Sequence, residues 1–266
     1  MNKLYVVNEL IKEEQLDGTL EIQKLAREDF FPIQHIKINV LEDSKLYIEY
    51  KTDEKIKLNI EIDIRPNVKF ELYEIRTGVK PKVQYKYKLD EGSMMSTVKF
   101  YDMEKMREMD IVELNGVGAK FNMVLKTIAS DHEKYDMMIY HNAKDTHSTL
   151  INQGVSTKKG EIIFNVTGMI PNGKTGCSCH EQNRIINLND GKNKISPNLL
   201  IDEYDVEADH AAYIGKFNDE ELFYLKSRGI KEQEAIRLLT DGFLKSNVTE
   251  KFMLEQIEQS IKKYWG

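Results

Sequence analysis

From Ile36 onward, apolar and polar residues take turns. Ile36, Ile38 and Val40 are separated by Lys37 and Asn39, and Leu46, Ile48 and Tyr50 by Tyr47 and Glu49. Ile56, Leu58, Ile60, Ile62 and Ile64 alternate with Lys57, Asn59, Glu61 and Asp63. Val68, Phe70 and Leu72 keep the rhythm, as do Val83, Tyr85 and Tyr87. A period of two belongs to a strand with one buried face. Turn-forming clusters punctuate the strands: Glu42-Asp43-Ser44, Thr52-Asp53-Glu54, Arg65-Pro66-Asn67 and Asp90-Glu91-Gly92. Further strands are predicted over residues 109–114, 119–128, 135–141, 162–166 and 199–201. The spacing admits a sandwich, a barrel or a β-solenoid. Without a crisp internal repeat, periodicity does not choose among them.

After Phe217 the period changes to that of a helix. Asn218 precedes Glu221 by three residues, the spacing of an N-cap and its capping-box partner. Leu222, Phe223 and Leu225 follow, and Gly229 is a suitable stop. A second helix is predicted over residues 232–244, with Ala235, Ile236, Leu238, Leu239 and Phe243 inward. A third begins near Thr249, with Phe252, Met253, Ile257 and Ile261 inward. Before Ile36 the pattern is weak; Leu10, Ile11 and Leu16 suit one side of a short helix. The chain divides into a lead-in (1–34), a β region (35–216) and a helical tail (217–266).

With 266 residues the chain can bury a large core. Its net charge is −6 and no Lys/Arg block stands clear of acidic neighbours, which argues against a nucleic-acid footprint. No apolar run approaches the roughly 18–20 residues of a membrane span, and residues 1–14 lack the apolar centre of a signal peptide. A cytoplasmic protein is expected, with no membrane partner. Cys177 and Cys179 are too close for a loop-closing disulfide and are read as free thiols.

Cys177-Ser178-Cys179-His180-Glu181 gathers two thiols, an imidazole and a carboxylate into five residues. Thiolates are the natural ligands of iron–sulfur clusters, and imidazole can substitute. On a strand, Cys177, Cys179 and Glu181 share one face and His180 takes the other; a loop lifts that restriction. The bland alternative is a pair of ordinary thiols in a Gly-rich turn. His141 and His147 read as turn residues, and His35 and His132 have no supporting context. Gly116-Val117-Gly118-Ala119 lacks the Lys-Ser/Thr of a phosphate loop and reads as a tight turn. The many carboxylates alternate with apolar residues, as solvated strand faces do. That counts against a β-helical polysaccharide lyase or hydrolase, which needs clustered acids.

Two adjoining stretches carry a family resemblance. Asp205-Val206-Glu207-Ala208-Asp209-His210-Ala211-Ala212 runs into Leu222-Phe223-Tyr224-Leu225-Lys226-Ser227-Arg228-Gly229-Ile230. Ala235, Leu238, Leu239 and Phe243 follow at matching spacing. This resembles the SufB/SufD family of iron–sulfur cluster assembly scaffolds, nearer to SufD-type members at His210. Pro197-Asn198-Leu199-Leu200-Ile201, Gln182-Asn183-Arg184-Ile185-Ile186 and the segments around His141 and Gly154 look like further family pieces. The resemblance implies a right-handed parallel β-helix with a small C-terminal helical domain. It implies a non-enzymatic scaffold that pairs with itself or with a second SufB/SufD-like subunit. A SufC-like ABC ATPase would dock on the tail, with Phe223, Tyr224, Arg228 and Gly229 at or near the contact. For Phe223, burial in the tail's own core is an equal alternative. A transient iron–sulfur cluster is the implied cargo, with no tightly bound cofactor. His210 stands where SufD-type members carry a functional histidine, and Asp209 is the carboxylate placed to orient it. The cysteine of SufB-type members has no counterpart here, its position falling near Gln182. The helical N-terminal domain of larger members is reduced to the lead-in. A non-ligating structural partner of a SufB-like scaffold is the alternative role.

Overall fold

The computed structural model describes residues 2–7, 10–14, 17–25, 33–52, 57–78, 82–189 and 191–265. Leu16, Ile56 and the Asp53-Glu54 turn lie outside them. The strands are β1 (Asn2–Val7), β2 (Leu10–Glu14), β3 (Leu20–Leu25), β4 (Ile33–Val40), β5 (Ser44–Thr52), β6 (Lys57–Ile64), β7 (Lys69–Gly78), β8 (Lys82–Leu89) and β9 (Met94–Met103). They continue as β10 (Met106–Leu114), β11 (Lys120–Ala129), β12 (His132–His141), β13 (His147–Ser156), β14 (Glu161–Ile170), β15 (Cys177–Asn187), β16 (Lys194–Ile201) and β17 (Val206–Gly215). From β4 on, odd-numbered strands pair in parallel in one sheet and even-numbered strands in the other. The chain is a parallel β-solenoid: each coil lays one strand on each sheet, and inward side chains of both sheets meet in a lumen. Where the sequence reading places a short helix, β2 pairs antiparallel with β1. Among the described residues no helix is long and apolar enough to cross a membrane.

The alternation in the sequence is the in-and-out rhythm of the coils. Leu58, Ile60, Ile62 and Ile64 face the lumen, while Lys57, Asn59, Glu61 and Asp63 face out. Lys69, Met94, Lys120, His147 and Ser178 stand above one another, so the step lengthens from 25 residues at the first interval to 31 at the last. That drift hides the repeat. Gly116 turns a corner so tightly that a Cβ there would lie 1.9 Å from the Glu91 nitrogen, and Gly118 has φ of 73°. The Gly116–Ala119 segment is a corner of the coil, as read.

Three helices follow: α1 (Asp219–Ser227), α2 (Glu232–Lys245) and α3 (Lys251–Trp265). Asn218 caps α1 by accepting from the Glu220 amide at 3.0 Å, and Gly229 (φ 84°) closes it, with the Ile230 amide bonded to the Leu225 carbonyl. The outer face of the odd-numbered sheet is apolar where the tail lies on it. Tyr73, Ile75, Phe100, Ile128, Val155 and Ile186 pack with Phe243, Leu244, Met253, Ile257 and Ile261. Phe252 meets Tyr47 and Tyr73 edge-on, with centroids 5.1 and 5.6 Å apart. Leu238, expected inward, is exposed, and the inward positions of α2 include Thr240 and Leu244 instead.

Candidate functional site

The segment Cys177–Glu181 is part of a regular strand, β15, so the strand rule holds. Cys177, Cys179 and Glu181 are buried in the lumen, and His180 points out. His180 Nδ1 bonds Asp209 Oδ2 at 2.7 Å on the outer face. Asp209 therefore does not orient His210: neighbours on a strand face opposite ways. The two cysteines are free and enclosed. Cys177 Sγ donates to the Ala143 carbonyl at 3.3 Å and lies 3.2 Å from Thr146 Oγ1. Burial pushes the Cys179 thiol up to about 11. His141 is also enclosed, 2.8 Å from Thr146 Oγ1 and 3.0 Å from Ser148 Oγ, and burial lowers it to about 4. It fastens a corner, as its sequence context suggests. Among the described residues no three His, Cys, Asp or Glu side chains stand close enough to enclose a metal ion.

His210 sits on the last coil. In the ladder it is level with Glu181, Ala208 with Cys179, and Ala212 with Asn183. Partners in a parallel ladder share a face, so His210 belongs to the lumen side. It is exposed because no further coil covers it. The inward face of β16 and β17 consists of Ile195, Pro197, Leu199 and Ile201 with Val206, Ala208, His210, Ala212 and Ile214. This is an open cross-section of core, apolar except for one imidazole. Leu200, Ile201, Tyr213 and Ile214 are large apolar residues left exposed around it.

Deeper in the lumen lies a charged layer that sequence reading missed. Glu74, Arg76, Lys99, Glu108 and Asp110 are all fully buried. Arg76 pairs with Glu74 and, at 2.8 Å, with Glu108. Lys99 Nζ reaches Glu108 at 2.7 Å and Asp110 at 2.8 Å. Tyr85 donates to Glu74 at 2.5 Å and Tyr101 to Glu108 at 3.0 Å. The Arg76 guanidinium lies between the rings of Tyr50 and Tyr101, 4.6 and 4.8 Å from their centroids. Three carboxylates face two cations, so one proton makes the layer neutral. Burial, with Glu108 alongside, pushes Asp110 up to about 7 against the pull of Lys99. Glu108 is held low by Lys99 and Arg76 despite its burial. A coil away, burial drives Glu133 up to about 8. These acids are not solvated strand faces, as the sequence suggests. The signal was phase: Glu74 and Arg76 continue the inward positions of Phe70 and Leu72, and Glu108 and Asp110 those of Val112 and Leu114.

On the tail, α1 has no buried residue, and Phe223 is 74% exposed, which rules out a place in the core. Tyr224 is exposed beside it, with the Arg228 guanidinium 5.3 Å from its ring centroid.

Residues 25–243 match the family model described as SUF system FeS cluster assembly, SufBD core domain. SufD of Bacillus subtilis (strain 168), an iron-sulfur cluster assembly protein, is 34% identical over 138 residues, covering 49% of this chain and 32% of that relative. An iron-sulfur cluster assembly SufBD family protein of Mycobacterium leprae is 30% identical over 169 residues, covering 59% and 43%. One of Staphylococcus epidermidis is 28% identical over 152 residues, covering 55% and 32%. The chain thus spans less than half the length of these curated relatives. With a parallel solenoid, a helical tail and a family model matched over most of its length, this chain belongs to the SufBD family of iron–sulfur cluster assembly proteins.

Proposed function

We propose that the chain is a cytoplasmic scaffold subunit of a SUF-type complex. It pairs through the open end of its solenoid and docks a SufC-like ABC ATPase on its helical tail. The observation that carries this is the uncovered last coil. An apolar core section ending in free strand edges is a template for a second chain, and a second copy or a SufB/SufD-like subunit would bury it. His210 would then lie inside the junction, where a nascent cluster can be held away from water and oxygen. The exposed Phe223, Tyr224 and Arg228 supply the aromatic and guanidinium anchors typical of protein interfaces. ATP turnover belongs to the partner: closure of two ATPases would pull the tails and shift the paired ends, provided the two ATPase states favour different scaffold conformations. The acids that cluster are sealed in the lumen, out of reach of a polysaccharide chain.

The test is light scattering and capture by the cognate ATPase with the full chain, beside Ile214→Asp and Phe223→Ala. Loss of pairing in the first and of capture in the second is expected. Unchanged pairing in Ile214→Asp would remove the open end as the contact. The enclosed thiols favour a second reading, in which this subunit supports a SufB-like partner without ligating the cluster. Anaerobic reconstitution with iron and sulfide separates the two: cluster absorbance unaffected by His210→Ala supports the structural role.

A further inference from the structure

Lys126 is fully buried, and among the described residues no carboxylate reaches it. It stands on the outer face of the odd-numbered sheet, in a row between Phe100 on β9 and Gln153 on β13, beneath the end of α2. Its Nζ donates to Gln153 Oε1, to Ser246 Oγ at 3.1 Å and to the Phe243 carbonyl at 3.5 Å. That carbonyl belongs to the last turn of α2, where the helix itself offers no partner. Two other polar contacts between tail and sheet are of a different kind. The Tyr73 hydroxyl donates to Glu250 at 3.1 Å. The Tyr264 hydroxyl donates to Asp102 at 2.9 Å, with Lys263 Nζ 3.3 Å from the same carboxylate. Those two join a carboxylate to a donor. Lys126 instead takes a cation out of water and gives it only neutral acceptors, which is costly. Nor is the amine needed to close the contact, since Ser246 Oγ lies 3.0 Å from Gln153 Oε1 and 2.8 Å from the Phe243 carbonyl.

We infer that Lys126 is a proton-operated latch between solenoid and tail: charged, it favours lifting of the end of α2 from the sheet, and neutral, it lets α2 settle. The apolar contacts of Phe243 and Leu244 hold α2 down; hydration of the ammonium pulls the other way. Burial alone lowers the amine to about 7 from an ordinary 10.5. The charges on neighbouring elements are engaged elsewhere. Asp241 and Lys245 on α2 pair at 2.7 Å, and Glu258 on α3 holds Lys262 at 2.7 Å. Arg184, beyond Gln153 in the row, lies against the rings of Tyr213 and Phe243. On β9, Lys99 turns into the lumen, and on β13 His147 bonds Ser178 at the far end of the strand. With α2 lifted, the amine is hydrated and regains its ordinary value. The lifted form therefore binds more protons between pH 7 and 10.5, so docking strengthens as pH rises through that window and is flat below it. The latch is a property of this chain alone; only its effect on the exposed α1, and so on ATPase docking, rests on the proposed function.

The test is hydrogen exchange of the full chain, read as protection of the Leu244, Lys245 and Ser246 amides relative to those of β14 on the other sheet. Protection should rise about fiftyfold from pH 7 to pH 9. Lys126→Met should hold it at or above the unaltered chain's pH 9 level at both pH values. Lys126→Arg, which keeps its charge, should hold it at or below the pH 7 level. A change of less than about threefold in the unaltered chain would overturn the latch whether or not the variants fold. Lower protection in Lys126→Met than in the unaltered chain at pH 7 would also overturn it, because the amine would then be a staple. Exchange is measured without the ATPase, so failure here leaves the scaffold reading standing, and failed ATPase capture leaves the latch standing.

Discussion

Glu133 makes the strongest single test of how the lumen is built. Thr127 Oγ1 and Tyr135 OH both donate to its Oε2, at 2.6 and 2.8 Å, and its Oε1 has no partner. Burial raises its folded-state value to about 8 from an ordinary 4.5. The substitution Glu133→Gln keeps the shape and the accepting oxygen but removes the ionisation. In the unfolded chain Glu133 ionises above pH 4.5; in the folded chain it does not until about pH 8. The folded state therefore binds more protons between these values, and stability falls as pH rises through that window. The protonated carboxyl's contribution is full below pH 4.5 and is lost by pH 8. At about 1.4 kcal/mol per pH unit, the unaltered chain should lose ~3 kcal/mol at pH 7 relative to Glu133→Gln. In melting temperature that is on the order of 10 °C. Urea unfolding at pH 5, 7 and 8.5 measures the gap directly. It should be small at pH 5 and widen toward pH 8.5. A gap constant with pH would show that Glu133 is already ionised in the folded protein and would refute the argument.

Lys99→Met strips the counter-charge from Glu108 and Asp110 in a sealed layer and should cost about 3–5 kcal/mol in urea unfolding; a loss under 1 kcal/mol would mean that water reaches the lumen there. Gly116→Ala should unfold the corner, its Cβ meeting backbone at 1.9 Å, whereas Gly118→Ala meets nothing and should cost only about 1 kcal/mol for its positive φ; circular-dichroism melts compare the two. Phe252→Ala removes the ring held by Tyr47 and Tyr73 and should cost about 2–3 kcal/mol, read as earlier proteolysis of the tail; equal rates would show that α3 is held elsewhere.

The solenoid was legible strand by strand where the lumen is apolar, as in β6 with its four inward aliphatics. It was not legible in β9 and β13, because Thr97 and Lys99, and Ser148 and Asn152, occupy inward positions. Polar residues there break the rhythm by which strands are recognised. The ends of β7 and β9 were hidden for a different reason. Both faces are covered, one by the lumen and one by the tail, so buried positions run on without alternation and charged residues such as Glu74 and Arg76 sit among them. The face rule puts Cys177, Cys179 and Glu181 together and His180 apart only if the segment is a strand, and β15 meets that condition. The link between Glu181 and His210 was not readable, since it depends on the step between coils, and that step varies.

The packing of α2 and α3 has a mechanical consequence. A solenoid coil touches only the coils next to it, so strain at one end fades along the stack. The tail is a splint: its residues rest on Tyr47 and Tyr73 near one end and on Val155 and Ile186 near the other. Force applied to the helices would reach distant coils at once instead of passing from one to the next. The odd-numbered sheet, splinted, should open to hydrogen exchange as a block, and the even-numbered sheet should fray coil by coil from its free end.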